Sequence, residues 1–160
     1  LGLLDGDIEL TLEEQLLEVT AHQTGTNLIA ELRQGFSCEI ALTLKEADLA
    51  RYKEIFGAAG GTDTPSGGTE VFGWGVNKQG SNTVVQARRL ILHPVANADS
   101  DYSEDFCAWK AYPMPESIVY SGENPKVLAL TFKCYLDDTK PEAIQLFCMK
   151  DWTQYVPIAP

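Results

Sequence analysis

Apolar residues recur at every second position along much of this chain. That period of two commits it to half-buried strands before anything else is considered. The clearest run is 36–43, where Phe36, Cys38, Ile40 and Leu42 form one face and Ser37, Glu39, Ala41 and Thr43 the other. Residues 126–136 repeat the pattern, with Leu128, Leu130, Phe132, Cys134 and Leu136 inward and Ala129, Thr131, Lys133 and Tyr135 outward. Residues 7–12 alternate Ile8, Leu10 and Leu12 with Asp7, Glu9 and Thr11. Residues 16–22 set Leu17, Val19 and Ala21 against Glu18, Thr20 and His22.

Further strands are predicted at 70–76, 83–93, 106–112 and 117–120. Residues 28–33 are ambiguous and suit one helical turn, and 141–148 suit a short helix or a strand. One helix is predicted after Thr43. Thr43 and Glu46 have capping-box spacing, Leu49, Tyr52, Ile55 and Phe56 share a helical face, and Gly57 suits a left-handed C-terminal position. Turns are read at 23–27 and 122–125. Residues 57–69 (GAAGGTDTPSGGT) carry no core-forming side chain and are predicted to be a surface loop. The sum is one domain over residues 1–160, mainly β. Its expected form is an antiparallel sandwich or partly closed barrel with one flanking helix.

Charge narrows the function. The chain has 23 Asp and Glu against 12 Lys and Arg, a net charge of −11. Direct binding to nucleic-acid phosphates needs a basic stripe, which this sequence lacks. Arg88, Arg89 and Lys110 are read as salt-bridge partners. No apolar run reaches the roughly 20 residues of a membrane helix, and no secretory signal pattern is read at the start. Cys38, Cys107, Cys134 and Cys148 form no CxxC pair, so free thiols in a reducing compartment are expected, with no zinc site.

No catalytic motif is legible. His22 and His93 have no nucleophile at motif spacing and no G-x-S-x-G elbow exists, so no enzyme is expected and no cofactor. The glycine-rich stretch lacks the Gly-Lys-Ser/Thr ending of a phosphate loop. Asp99, Asp101 and Ser103 have calcium-loop spacing, but Glu104 and Lys110 stand where that loop needs Gly and Glu, so 97–105 is read as a solvated acidic loop. Trp74 and Trp109 lie in strand-like runs and are expected in the core.

Several motifs in order resemble the major tail tube proteins of long-tailed bacteriophages. They begin with Glu18-Val19-Thr20 and Gln23-Thr24-Gly25, followed by the strand at 36–43 and Leu44-Lys45-Glu46-Ala47-Asp48-Leu49. Leu92-His93-Pro94, Ser103-Glu104-Asp105 and Trp109-Lys110-Ala111-Tyr112-Pro113 come next, and Leu128 to Phe132 closes the series. The resemblance covers most of residues 7–137. The long glycine-rich insert departs from it, and residues 138–160 match nothing in it.

The resemblance implies a structural subunit that forms stacked hexameric rings around a channel for the viral genome. It would sit in the virion tail after assembly in the host cytoplasm. Implied partners are further copies of itself and the tape-measure, terminator and baseplate proteins. DNA would pass without specific binding. The same fold serves type VI secretion tubes, so a secretion tube or a tail-completion component is one alternative, and a ligand-binding β-sandwich another. Under the tube reading, a hairpin of 15–22 and 35–43 is expected to line the channel through Glu18, Thr20, Ser37 and Glu39. Residues 147–160, with Phe147, Trp152 and Tyr155, are expected to form an arm on a neighbouring subunit.

Overall fold

The computed structural model describes residues 4, 6–20, 28–45, 48–57, 61–75, 79–120 and 127–155. The protein is mainly β, an antiparallel sheet curled into a half-barrel. The strands are β1 (Glu9–Thr20), β2 (Leu28–Leu44), β3 (Gly61–Asp63), β4 (Val71–Gly73), β5 (Arg88–Leu92), β6 (Phe106–Val119), β7 (Val127–Tyr135) and β8 (Phe147–Met149). The main sheet runs β1-β2-β7-β6-β5, and β8 pairs with the first residues of β6. β3 and β4 form a separate small hairpin.

Alternation makes one face of the sheet the core. Cys38, Ile40, Leu42 and Leu44 of β2 meet Leu128, Leu130, Phe132 and Cys134 of β7, with Phe106, Ala108 and Ala111 of β6 and Leu90 of β5. Helix α1 (Leu49–Phe56) covers this face with Tyr52, Ile55 and Phe56, one turn apart on one side. Truncating Phe56, fully buried, to Ala would cost about 3–5 kcal/mol. A second cluster forms on the opposite face, where Cys107 and Trp109 of β6 pack with Cys148, Ile91, Ile144 and Trp152.

Several local expectations change. Residues 28–33 are strand, because β1 and β2 pair continuously from Glu9↔Ala41 to Thr20↔Leu28. The helix is capped by Asp48, whose side chain accepts from Arg51 N at 2.8 Å, while Thr43 remains in β2 opposite Ala129. Glu46 lies outside the described residues. Gly57 is right-handed (φ −55), and its need for glycine is steric: a Cβ there would stand 2.4 Å from Lys53 O.

The long strand expected at 83–93 is instead a four-residue helix, α2 (Thr83–Gln86), followed by β5. Asn82 caps α2 by accepting from Val84 N at 3.0 Å. The two strands expected between 106 and 120 are one, β6, running through Pro113 and Pro115. β5 pairs with β6 no further than Ala111, so the positions without an N–H can face an unpaired side. Leu136 is exposed, because β7 ends at Tyr135 and the chain turns back with Asp137 N donating to Gln145 O at 2.8 Å. Residues 141–148 divide into a 3-10 turn (Glu142–Ile144) and the start of β8.

Within the glycine-rich stretch, 61–63 is strand β3 and 64–69 is exposed, while 58–60 lie outside the described residues. The predicted turns at 23–27 and 122–125, and His22, lie outside them too.

Candidate functional site: the polar face and the open edges

The strand register sets out the face opposite the main core in rows. Glu13 stands beside Ser37, and Thr11 beside Glu39, Lys133 and Tyr112. Glu9 stands beside Ala41, Thr131 and Met114. Glu39 Oε1 lies 3.9 Å from Lys133 Nζ. Thr131 donates to Glu116 across the β6 irregularity between Pro115 and Ser117. Lys110 Nζ sits 3.2 Å from Asp137 Oδ1 and 3.7 Å from Asp138 Oδ1. Lys110 and Lys133 therefore each lie within 4 Å of a carboxylate, and neither is left to hold a phosphate.

The expected channel residues divide between the two faces. Ser37 and Glu39 lie on this polar face. Glu18 does not: β1 runs on without a break, so Glu18 shares its side with Leu10 and Leu12 and stands opposite Glu31. The expectation that Glu18 and Glu39 share one polar face is thus corrected. Glu18 stands at an even position of β1 and Thr11, the partner of Glu39, at an odd one, so the two carboxylates point to opposite sides. Thr20 pairs with Leu28, and its side chain is outside the described residues.

The residues assigned to an arm make their contacts within one chain. Phe147 stacks on Phe106 with ring centroids 5.1 Å apart. Trp152 packs edge-on to Tyr102 at 5.7 Å, with the Arg89 guanidinium 4.7 Å from its ring centre. Tyr155 meets Trp109 edge-on at 6.4 Å. Trp109 donates to Ile144 O at 2.6 Å, and Lys140 Nζ lies 4.7 Å over its ring. Residues 147–155 thus lie against their own sheet, and 156–160 fall outside the described residues.

Sequence reasoning missed the polar centre of this region. Asp105, read as part of a solvated loop, is buried. It accepts from Trp152 Nε1 at 2.8 Å and pairs with His93 Nδ1 at 2.6 Å. The hydrogen bond to Asp105 raises the His93 pKa above its ordinary value. The one available signal was position, since Asp105 is the last acid before the apolar strand FCAW. Asp101 caps a local turn, accepting from Ser103 N at 3.0 Å. Among the described residues no cluster of three or more His, Cys, Asp or Glu could hold a metal.

Among the described residues the sheet has two free edges of opposite charge. β1 (ELTLEEQLLEVT) holds four glutamates and no cation, and β5 (RRLIL) holds two arginines and no carboxylate. Exposed backbone edges are templates for pairing with another chain. No helix among the described residues is long and apolar enough to cross a membrane. No protein-family model and no curated protein matches the chain.

Proposed function

We propose that this chain is a tube-forming structural subunit, a virion tail tube protein whose copies close into six-membered rings and stack around a channel for DNA. The observation that carries the reading is the single curled sheet. It has one apolar face buried under α1, one polar face of Glu9, Thr11, Glu13, Ser37, Glu39 and Thr131, and two unpaired edges. Edges that pair between copies join half-barrels into a closed wall and remove the aggregation hazard.

The polar face suits the inner wall. Its carboxylates repel phosphates at close range, and Lys110 and Lys133 are already engaged by carboxylates. At physiological salt the field decays over about 8 Å, so such a wall prevents sticking without attracting DNA from a distance. A ring presents every wall residue six times under this reading, so Glu39 becomes a belt. Tape-measure, terminator and baseplate proteins are the partners this role requires.

Native mass spectrometry over a concentration series tests the reading. Six-copy species and their multiples are expected. A population of monomers and closed dimers at every concentration contradicts it.

A further inference from the structure

The four cysteines divide between the two faces of the sheet. Cys38 and Cys134 touch in the main core, while Cys107 and Cys148 lie in the second cluster with Trp109 and Trp152. A bond between the two groups would have to pass through the sheet. Four cysteines allow three connectivities in general, and this fold leaves one.

Cys107 and Cys148 stand directly opposite on antiparallel β6 and β8, with no shift in register between Phe106↔Met149 and Ala108↔Phe147. Lys150 N donates to Asp105 O at 2.7 Å, which makes those two a hydrogen-bonded pair of the same ladder. Hydrogen-bonded and non-bonded pairs alternate, so Cys107 and Cys148 are again a bonded pair, with Cα atoms about 5.5 Å apart. Disulfides span Cα separations of about 4.4–6.8 Å, most often about 5.5–6 Å. Residues directly opposite send their side chains to the same side, and both thiols are buried there. The spacing and direction of a disulfide are therefore present before any bond forms.

β8 is also the strand best placed to open. It has three residues and among the described residues pairs with β6 alone, whereas Cys38 and Cys134 lie in the long central strands β2 and β7. Short elements with few contacts open locally at lower free energy than the core.

We infer that Cys107 and Cys148 are a redox-responsive modification site, a thiol pair under reducing conditions and a disulfide under oxidising ones, which latches β8 and the segment through Trp152 onto β6. The oxidant is a small disulfide such as glutathione disulfide. When β8 lifts, Cys148 Sγ bonds to one glutathione sulfur as that S–S bond breaks, and the first glutathione leaves as a thiol with the Cys148 proton. β8 closes, Cys107 Sγ attacks Cys148 Sγ, and the second glutathione leaves with the Cys107 proton. Two protein thiols are oxidised and one glutathione disulfide is reduced to two thiols. Because β8 must lift first, a brief exposure to a thiol reagent leaves the pair unreacted. The latch is independent of self-association and acts within one chain.

Incubation of the native full chain with glutathione disulfide for many hours tests it, read by intact mass and by peptide mapping without reductant. The expected product has lost two hydrogens, joins the Cys107 and Cys148 peptides, and returns to thiols with excess reduced glutathione. The bond closes a loop of about 40 residues, so the oxidised wild type is expected to melt about 3 °C or more above the reduced form. C148A is expected to form no internal bond at Cys107 and to melt alike in both buffers. Recovery of Cys107 and Cys148 as free thiols in the wild type, or a bond from either to Cys38 or Cys134, overturns the inference. So does an oxidised form that melts no higher than the reduced one.

Discussion

The indole nitrogen of Trp152 donates to Asp105 Oδ2 at 2.8 Å, across 47 residues of sequence. With His93 on the other carboxylate oxygen, and Lys150 N donating to Asp105 O at 2.7 Å, this contact ties the C-terminal segment to the start of β6. A buried carboxylate is costly unless its lone pairs are used. Removing either donor is therefore expensive: Trp152→Phe, which keeps most of the ring but loses the donor, is expected to cost about 1–3 kcal/mol. Urea unfolding measures it, and an unchanged midpoint contradicts the assignment.

His93 gives this tie a pH dependence. Its pKa is raised in the folded state, first by the hydrogen bond to Asp105. Folding therefore favours the protonated ring. The stability it contributes is fully present below the unfolded value of about 6.5 and is lost as pH rises through the higher folded value. The melting temperature of the wild type should fall across that window relative to His93→Gln. Parallel profiles for the two proteins contradict this.

The four thiols should be silent in the folded protein. All are buried and free, and Cys107 and Cys148 stand directly opposite on β6 and β8. Burial, then the neighbouring Cys148, pushes the Cys107 pKa up to about 12. The contact with Cys38, together with burial, pushes Cys134 well above the ordinary thiol range. Burial shields all four from a reagent in solution, so a thiol reagent should label none of them in the native state and all four in denaturant. Fast labelling of any of them under native conditions contradicts the packing.

Residues 64–69 should be dispensable, but their flanks should not. The tip is exposed, closed by Gly68 N donating to Pro65 O at 2.8 Å, with Gly67 in the left-handed region at φ 76. On the flank, Phe72 stacks on Tyr52 at 5.9 Å, and Glu70 pairs with Lys53 of α1. Replacing 64–69 with a two-residue turn is expected to change stability by no more than about 0.5 kcal/mol. Phe72→Ala, by contrast, removes a ring packed against the core and should cost about 3 kcal/mol. Equal effects of the two changes in chemical denaturation contradict this division.

The central strands were legible because burial on one side leaves an alternation that nothing else produces. Cys38, Ile40 and Leu42, and Leu128, Leu130, Phe132 and Cys134, fall on the core face as their spacing required. The errors arose where tertiary context overrides local preference. Thr83-Val84-Val85 has strand composition, yet it turns as a helix under the Asn82 cap. Pro113 and Pro115 look like strand breakers and are tolerated because that part of β6 is unpaired on one side. Glu18 falls on the side of Leu10 and Leu12 because the apolar positions of β1 change from even to odd at Leu17 and Val19 while the strand runs straight on, so alternation read in each half alone misassigns its face. Asp105 was unreadable because its partners, His93 and Trp152, lie 12 and 47 residues away in sequence.

Cryo-electron microscopy of the purified, assembled protein decides whether copies close into a ring and which face lines its channel. Six-fold rings or tubes are expected, with a channel lined by the face carrying Glu39, Thr131 and Lys133 and with β1 and β5 edges meeting between neighbouring copies. Particles that remain single subunits at high concentration, or rings with Glu39 and Lys133 on the outer surface, contradict it.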